Sequence, residues 1–365
     1  MLKIAIVHDW LVTDAGAEKV LAELIALYPH ADLFTLVDFL KEADRKRIVG
    51  DKKAVTSFVQ KLPFAKNYFR HYLPLFPKAI ESLDVSVYDL VISSSWAVAK
   101  GVKTTKAQMH ICYCHTPVRY AWDLYDEYTQ GLRQPKKIAV EATLRYLRRW
   151  DAATADRVDA FVANSYFVAE RIRRIYKREA AVIYPPVDTE AFALCTQKDD
   201  FYLTASRLVP YKKTKLIVEA FNAMPDKKLV VIGAGEEYEA IRGIAGPNVS
   251  VLGYQPREVL VGSMRRAKAF VYAALEDFGI VPVEAMACGT PVIALDRGGT
   301  AETVEDGVCG VHFSKQDVSS IVEAVRRFET MHFDPAMIRS QAERFAKARF
   351  VDHFCNFVKD WKTGL

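Results

Sequence analysis

Short apolar runs alternate with amphipathic stretches along the whole chain. In the first half these runs occupy residues 4–7, 90–93, 110–114, 160–163 and 181–184, and in the second half residues 201–205, 229–232, 249–252, 269–273 and 292–295. Apolar runs of this length separated by helical segments are typical of parallel sheets with crossover helices. Because the pattern occurs twice, we predict two doubly wound, Rossmann-like α/β domains.

The length of the chain agrees with two hydrophobic cores. At 365 residues it exceeds the size that one core usually serves. We predict a first domain at residues 1–187 and a second at residues 188–344, joined at residues 184–188, where two consecutive prolines stiffen the chain. Residues 345–365 carry aromatic side chains at helical spacing, which predicts a C-terminal helix that crosses back to pack on the first domain.

Composition and cysteine usage indicate a globular protein of the cytoplasm. The chain is 51% hydrophobic and 26% charged, and no apolar run approaches the roughly 18 residues that a membrane-spanning helix needs. Its first residues have the character of a buried strand and not of a secretory signal. Six cysteines occur without a Cys-x-x-Cys pair, so we expect free thiols in a reducing compartment.

The positive charge of the chain is concentrated in its first half. Net charge is +5; residues 1–187 hold 28 Lys and Arg against 21 Asp and Glu, and the remainder holds 22 against 24. Much of the excess lies at residues 41–78, where cations are interleaved with aromatic side chains. This segment suits an anionic membrane surface and predicts peripheral association with the inner face of the plasma membrane. A solvated helical face over core aromatics is the alternative, and nucleic acid is not expected because no binding motif accompanies the charge.

Two glutamates, Glu276 and Glu284, flank a Phe-Gly turn that opens a predicted helix. Pro282 suits the first turn of this helix, and Gly289 suits the left-handed position after its end. The backbone N–H groups of residues 278–280 then lie unpaired at the helix start, where the helix dipole favours an anion such as a phosphate. The alternative is a pair of solvated glutamates beside an ordinary helix.

Two cations follow the apolar run at residues 201–205. Arg207 and Lys212 are predicted at the carboxyl end of a parallel strand, which is where a doubly wound sheet binds ligands. Both side chains suit phosphate oxygens, and a solvated surface pair is the alternative. The next strand runs into Gly233-Ala234-Gly235, part of a dinucleotide-binding pattern whose third glycine is replaced by Tyr238.

His115 and Gly16 are two further candidates in the first half. His115 ends the apolar run at residues 110–114, where a histidine has a polar role more often than it does inside a strand. Gly16 lies in a turn of small residues that would let a ligand approach the backbone. The sequence has no Asp-x-Asp pair and no His or Cys pairs at zinc spacing. We therefore expect no metal and no other cofactor, with protein cations neutralising any bound diphosphate.

In combination and in chain order, these motifs resemble glycosyltransferase family 4 over essentially the whole chain. A Gly-Gly loop at residues 296–302 is also similar to the family. The resemblance implies the GT-B fold, in which two Rossmann-like domains face a cleft, and retaining transfer of a sugar from a nucleotide sugar. Residues 112–123 are similar to bacterial mannosyltransferases of O-antigen and related surface polysaccharides, which implies GDP-mannose as donor and a lipid-linked glycan as acceptor.

The resemblance assigns the second domain to the nucleotide-sugar donor. Glu284 would bind the ribose hydroxyls. Glu276 would hold the donor sugar together with the backbone of Phe278, Gly279 and Ile280.

Further donor contacts are implied around the diphosphate and the base. Arg207 and Lys212 would neutralise the diphosphate and stabilise the charge that develops as it leaves. Gly233 and Tyr254 complete the predicted donor site, with Tyr254 as a wall for the base.

The resemblance assigns the first domain to the acceptor. Gly16 would let the N-terminal loop approach the diphosphate and sugar, and His115 would contact the sugar near its reacting face. His115 is therefore counted with Glu276, Arg207 and Lys212 as catalytic. The family often has Gly-Gly where this chain has Ala15-Gly16, so Ala15 is left out of the site.

Alternatives remain for the donor and for the activity itself. A UDP- or dTDP-linked sugar is the alternative to GDP-mannose. A GT-B-like binding module without activity is an alternative to an enzyme. An NAD-dependent oxidoreductase is a distant one, because the nearest acidic residue at the right distance past the glycines, Glu258, lies beyond a separate strand.

Overall fold

The computed structural model describes residues 2–123, 125, 129 and 133–363. Contacts between residues divide the chain into two compact units, Met1–Tyr184 and Pro185–Leu365. The division falls within residues 184–188, where the sequence predicts a joint. Each unit has its own parallel sheet with crossover helices, so the prediction of two Rossmann-like α/β domains is confirmed.

The first unit is built on a seven-stranded sheet in which every paired strand is parallel. Its strands are β1 Ile4–His8, β2 Asp32–Thr35, β3 Ala54–Thr56, β4 Leu90–Ser95, β5 Met109–Cys114, β6 Ala160–Ala163 and β7 Ala180–Val182. They lie in the order β3-β2-β1-β4-β5-β6-β7. The chain changes direction across the sheet between β1 and β4, and the carboxyl ends of strands at such a switch point are where α/β folds bind ligands.

Among the residues that the structure describes, the first unit contains the α-helices α1 Gly16–Leu27, α2 Glu42–Ile48, α3 Ala65–Tyr68, α4 Phe76–Glu81, α5 Lys136–Ala153 and α6 Tyr166–Tyr176. Short 3-10 helices occupy Phe58–Lys61, Phe69–Leu75, Ala99–Gly101 and Thr154–Arg157. α6 shows why such a helix begins where it does. The Ser165 hydroxyl accepts a hydrogen bond from Val168 N at 3.1 Å, a cap that typically contributes about 1 kcal/mol.

The second unit contains a six-stranded parallel sheet. Its strands are β8 Tyr202–Ala205, β9 Leu229–Ile232, β10 Val249–Gly253, β11 Ala269–Tyr272, β12 Val292–Leu295 and β13 Gly310–Phe313. They lie in the order β10-β9-β8-β11-β12-β13, so the switch point lies between β8 and β11. All residues of β8, β11 and β12 are buried, which explains why β11 and β12 are continuous apolar runs and why β8 is apolar except for Thr204.

The α-helices of the second unit are α7 Thr214–Asn222, α8 Tyr238–Ile244, α9 Arg257–Arg266, α10 Ile280–Ala287, α11 Thr300–Thr303, α12 Val318–Glu329, α13 Pro335–Glu343 and α14 Lys347–Thr363. Thr189–Ala191 and Pro210–Lys212 are 3-10 helices. The predicted Gly289 stop is confirmed, because Gly289 follows α10 with a positive φ of 70°.

The aromatic tail forms a helix close to the predicted position. Phe350 and Phe354 on α14 are buried and stack at a ring distance of 5.7 Å. Just before this helix, the Phe345 ring packs edge-on against Phe278 at 5.4 Å, and its carbonyl accepts a hydrogen bond from Val187 N. That the helix packs on the first domain stays a prediction.

All six cysteines are free thiols, as predicted. Cys112 and Cys114 are both buried in β5. In the described part of the chain, no helix combines the length and apolar character needed to cross a bilayer.

Candidate functional site

Lys212, Tyr272 and Glu276 meet at the switch point of the second sheet. Lys212 ends the 3-10 helix after β8, Tyr272 is the last residue of β11, and Glu276 follows it. Lys212 Nζ donates to the Tyr272 hydroxyl at 3.1 Å, that hydroxyl donates to Glu276 Oε1 at 3.1 Å, and Lys212 also pairs directly with Glu276. The structure therefore unites two predicted catalytic residues through a tyrosine that the sequence analysis did not select.

Burial shapes this cluster. The Lys212 and Glu276 side chains retain 14% and 17% of their surface, so both still reach solvent. Burial raises the pKa of Tyr272 well above its ordinary value, and the Glu276 carboxylate adds to that shift. Tyr272 therefore stays protonated, and its hydroxyl donates a hydrogen bond to Glu276.

Arg207 lies in the same loop as Lys212 and is joined to it through Tyr211. The Arg207 guanidinium donates to the Tyr211 hydroxyl at 2.7 Å, and the Lys212 ammonium lies 5.1 Å from the centre of the Tyr211 ring. A cation over an aromatic face is attracted to it by about 0.5–2 kcal/mol. Arg207 itself is exposed. One ring thus orders both predicted diphosphate ligands.

The Gly-Ala-Gly turn supports the loop that carries Arg207. Leu208 N donates to Ala234 O at 2.9 Å. A Cβ atom at Gly233 would lie 1.9 Å from Ser206 O, and one at Gly235 would lie 2.2 Å from Leu208 O. Glycine is needed at these two positions because two backbone segments touch there. This contact explains the partial match to the dinucleotide-binding pattern, and no bound dinucleotide is needed to explain it.

Gly233 also connects this turn to the predicted base-binding residue. Its N–H donates to Gly253 O at 2.9 Å, and the next residue, Tyr254, is 79% exposed. The Tyr254 ring therefore offers a planar, uncovered face beside the glycine turn.

The start of α10 has the backbone geometry that the predicted anion site requires. Gly279 precedes the helix with a φ of 88°, a left-handed conformation that favours glycine, and Pro282 lies in the first turn. The N–H groups of Gly279 and Ile280 precede the first intrahelical donor, and no acceptor for them lies within the described part of the chain. Glu284, one turn further along α10, is 7% exposed.

The Gly-Gly loop packs directly on the Glu276 turn. Gly299 N donates to Glu276 O at 2.9 Å. A Cβ atom at Gly298 would lie 2.4 Å from the same oxygen, and one at Gly299 would lie 2.2 Å from Phe278 Cα. The absence of a Cβ atom at these two glycines lets their loop lie against the Glu276 turn.

His115 lies at the switch point of the first sheet, in a chain of hydrogen bonds. Its Nε2 is 2.8 Å from Ser94 Oγ, and the same oxygen is 3.1 Å from His8 Nδ1. His8 ends β1, Ser94 lies near the end of β4, and His115 follows β5. Burial lowers the pKa of His115 from its ordinary 6.5 to about 3, and the nearby His8 adds to the shift. His115 is therefore a neutral imidazole near pH 7.

Gly16 is the first residue of α1, as the small-residue turn predicts. Glu18, in the first turn, reaches back to accept a hydrogen bond from Ala15 N at 3.1 Å, while its other carboxylate oxygen lies 3.8 Å from His8 Nε2. Both Glu18 and His8 are buried. The N-terminal turn is thus tied to the His115 chain.

Asp9 fixes the loop after β4. Its carboxylate accepts hydrogen bonds of 2.6–2.9 Å from four consecutive backbone N–H groups, those of residues 96–99. Burial raises the pKa of Asp9, and the backbone donor of Trp96, the nearby His8 and the backbone donors of Ala99 and Val98 oppose that shift. The bonds hold the Trp96 ring edge-on to both His8 and His115, at 4.8 and 5.8 Å.

The structure thus forms two clusters from residues that the sequence singled out, and adds others. Arg207, Lys212, Glu276 and the α10 start lie together in the second unit, and Gly16 and His115 belong to one network in the first. The sequence analysis missed Tyr211, Tyr272, His8, Ser94 and Glu18. A signal existed for His8 and Ser94, since polar residues end the apolar strands β1 and β4. Among residues 2–123, 125, 129 and 133–363, no group of three or more His, Cys, Asp or Glu is placed to hold a metal ion.

Relatives identified by sequence are glycosyltransferases. A D-inositol 3-phosphate glycosyltransferase of Mycolicibacterium smegmatis is 27% identical over 230 residues, which are 54% of this chain and 52% of that protein. A GDP-mannose-dependent monoacylated alpha-(1-6)-phosphatidylinositol monomannoside mannosyltransferase of Corynebacterium glutamicum is 33% identical over 133 residues, 32% of this chain and 35% of that protein. The chain spans about half the length of the curated relatives it matches.

Solved structures and family models extend the similarity to most of the chain. The Anabaena protein HepE, solved in complex with UDP and glucose, has a TM-score of 0.71 at 18% identity, over 98% of this chain and 100% of that chain. The fold is therefore GT-B. The model of Glycosyltransferase Family 4 matches residues 16–191, and that of Glycosyl transferases group 1 matches residues 169–347. Both halves of the chain are therefore similar to glycosyltransferases, the first to family 4 and the second to group 1.

Proposed function

We propose that this protein is a retaining glycosyltransferase that transfers mannose from GDP-mannose to a lipid-linked glycan during synthesis of a surface polysaccharide such as O-antigen. The observation that carries the proposal is the meeting of Lys212, Tyr272 and Glu276 at the sheet switch point beside the start of α10. A cation next to unpaired N–H groups suits a diphosphate, and a carboxylate suits sugar hydroxyls.

The chemistry requires stabilisation of a leaving group. As the bond between the anomeric carbon and the diphosphate breaks, negative charge grows on the diphosphate and positive charge on the sugar. Fixed cations therefore stabilise the transition state more than the ground state. Lys212 and Arg207 supply this charge, while Glu276 orients the sugar. The acceptor hydroxyl attacks from the face that the diphosphate leaves, which retains the anomeric configuration without a covalent enzyme intermediate.

The remaining donor contacts follow from position. The free N–H groups of Gly279 and Ile280 bind the diphosphate or sugar, and Glu284 binds the ribose hydroxyls. Tyr254 stacks on the base through its exposed ring. In the first unit, Gly16 leaves room for the substrate at the start of α1, and His115 contacts a sugar hydroxyl.

The choice of GDP-mannose rests on two similarities. Residues 112–123 resemble bacterial mannosyltransferases, and one sequence relative is named as GDP-mannose-dependent. Neutralisation of the diphosphate by Lys212 and Arg207 makes a divalent cation unnecessary in this proposal.

A panel of labelled nucleotide sugars tests the donor. We expect the purified protein to transfer label from GDP-mannose into the lipid fraction of membranes from the organism that naturally produces it. The transfer should be equally efficient in EDTA. UDP- and dTDP-linked sugars serve as the comparison. Transfer from one of those donors alone would refute the GDP-mannose assignment, and a steep loss in EDTA that magnesium restores would refute metal independence.

A lipid-linked acceptor places the enzyme at the cytoplasmic face of the plasma membrane, and we propose that a basic-aromatic surface docks it there. Residues 52–80 contain six Lys or Arg and no Asp or Glu. Exposed apolar side chains in this segment are Phe64 at 79%, Tyr68 at 55%, Val55 at 51%, Leu75 at 39% and Phe58 at 37%. The segment therefore combines cations for anionic headgroups with apolar groups for the interface.

Phe64 offers a sharp test of this surface. Replacing Phe64 by serine is expected to weaken binding to vesicles of mixed neutral and anionic phospholipid by about tenfold or more, because burying a phenyl group contributes about 1.5–3 kcal/mol. Val87→Ser, which removes a 63% exposed apolar side chain outside the segment, is the control. Equal flotation of both variants with the wild type would rule out docking through Phe64.

A further inference from the structure

The His8–Ser94–His115 chain of hydrogen bonds is compatible with two arrangements of its protons. The arrangement determines whether His115 Nδ1 donates or accepts a hydrogen bond. A serine hydroxyl has one proton to donate. With Ser94 Oγ within 3.1 Å of His8 Nδ1 and 2.8 Å of His115 Nε2, it donates to one ring and accepts from the other. When each ring carries one proton, both histidines must be in the same tautomer, either Nε2–H or Nδ1–H.

Glu18 makes the two arrangements unequal. In the first, His8 carries its proton on Nε2, directed at the Glu18 carboxylate oxygen 3.8 Å away. In the second, the lone pair of His8 Nε2 faces that carboxylate. His8 Nε2 is buried and has no hydrogen-bond partner, so no other group compensates for the unfavourable arrangement. Glu18 cannot turn away easily, because its second oxygen is held by Ala15 N.

We infer that Glu18, acting through His8 and Ser94, sets His115 in the Nε2–H tautomer, so that His115 Nδ1 is a hydrogen-bond acceptor. The proton of Ser94 then goes to His8 Nδ1, and His115 Nε2–H donates to Ser94 Oγ. The orientation of one histidine's proton is commonly set by the partner of its other nitrogen. Here the setting is transmitted across three strands, from β1 through β4 to the residue after β5.

His115 Nδ1 is available for substrate. It makes no hydrogen bond within the described part of the chain, and His115 keeps 8% of its surface exposed. An acceptor nitrogen selects a hydroxyl donor and disfavours an oxyanion. The tautomer follows from the first unit alone, whereas the contact with a sugar hydroxyl rests on the proposed function.

Nuclear magnetic resonance of the histidine ring nitrogens tests the tautomer without any substrate. The full-length protein is labelled with 15N-histidine and studied near pH 8, above the ordinary imidazole pKa of about 6.5. The His115 signals are assigned by their loss in His115→Asn. We expect protonated Nε2 and unprotonated Nδ1; the opposite pattern in the wild type overturns the inference.

Glu18→Gln should invert the tautomer. Its amide oxygen can keep the hydrogen bond from Ala15 N, which directs the NH₂ group at His8 Nε2. His8 then donates through Nδ1 to Ser94, Ser94 donates to His115 Nε2, and the proton of His115 moves to Nδ1. Adding Ser94→Ala should abolish this response to Glu18. An unchanged His115 pattern in folded Glu18→Gln overturns the inference.

The surface variant Glu42→Gln is the matched control, since Glu42 is an exposed acid in the first turn of α2. It should leave the His115 signals and sugar transfer unchanged. Glu18→Gln is expected to lower kcat/KM for transfer about tenfold, the usual effect of losing one hydrogen bond of about 1.4 kcal/mol. An inverted tautomer with unchanged kcat/KM would overturn the hydroxyl contact alone. Absence of transfer from every donor would refute the proposed function and leave the tautomer result standing.

Discussion

Replacing Lys212 by alanine is expected to lower the rate of sugar transfer about 10²- to 10³-fold while the protein stays folded. Lys212 supplies the fixed positive charge nearest the Glu276 carboxylate, and removal of one group that stabilises developing charge costs a factor of this size. The loss should appear mainly in kcat, because the diphosphate gains its charge in the transition state. Steady-state kinetics with the labelled donor measures it.

The adjacent Lys213 provides a matched control. Lys213 is exposed and precedes α7, so Lys213→Ala removes the same charge one residue away. Its transfer rate should remain close to that of the wild type. Thermal unfolding of both variants checks folding, with an expected cost for Lys212→Ala of about 1 kcal/mol from the lost bonds to Glu276 and Tyr272. Wild-type turnover in folded Lys212→Ala would remove Lys212 from the mechanism.

Acid is expected to destabilise the first unit steeply between about pH 6.5 and pH 4. Burial lowers the pKa of His110 to about 4 and that of His115 to about 3. Below 6.5 the unfolded chain binds protons at these positions and the folded chain does not, so stability is fully present above pH 6.5 and falls as pH decreases. In this window, each buried histidine lowers the free energy of unfolding by about 1.4 kcal/mol per pH unit. The loss per histidine reaches about 3 kcal/mol at pH 4.

Urea unfolding followed by tryptophan fluorescence measures this loss. Four of the five tryptophans, at positions 10, 96, 122 and 150, lie in the first unit. His110→Gln removes one of the two titrating rings and should roughly halve the slope of stability against pH. His30→Gln, which removes an exposed imidazole, is the control. A slope in His110→Gln equal to that of the wild type would contradict the assignment.

Most strands could be predicted because they are buried on both faces. β9, β6 and β12 have the predicted limits, and each is an uninterrupted apolar run. The structure adds β2, β3 and β13, which the pattern did not show. β3 and β13 are edge strands, where one neighbour is missing and polar or exposed residues are tolerated; Val55 in β3 is 51% exposed. β2 is short and begins with an aspartate, so the apolar pattern does not show it as a strand.

The site could be predicted in part, because ligand-binding residues follow strand ends whatever the strand order. Which strand ends meet depends on the order within the sheet, and the sequence does not contain that order in readable form. β8 and β11 are 67 residues apart at their first residues and yet are neighbours, which brings Lys212 to Glu276. Tyr272 escaped selection because a tyrosine that ends an apolar strand has the pattern of a core residue.

The contact between Phe345 and Phe278 makes the C-terminal segment a structural support of the turn that carries Glu276. Phe345 is 1% exposed, and its carbonyl is bonded to Val187 at the beginning of that domain. The turn that carries Glu276 therefore packs on a side chain that lies far along the chain, at position 345. A fusion partner placed after residue 363 leaves this packing intact, whereas a chain shortened before Phe345 loses the ring that supports Phe278. Protein engineers who shorten this protein should keep residue 345.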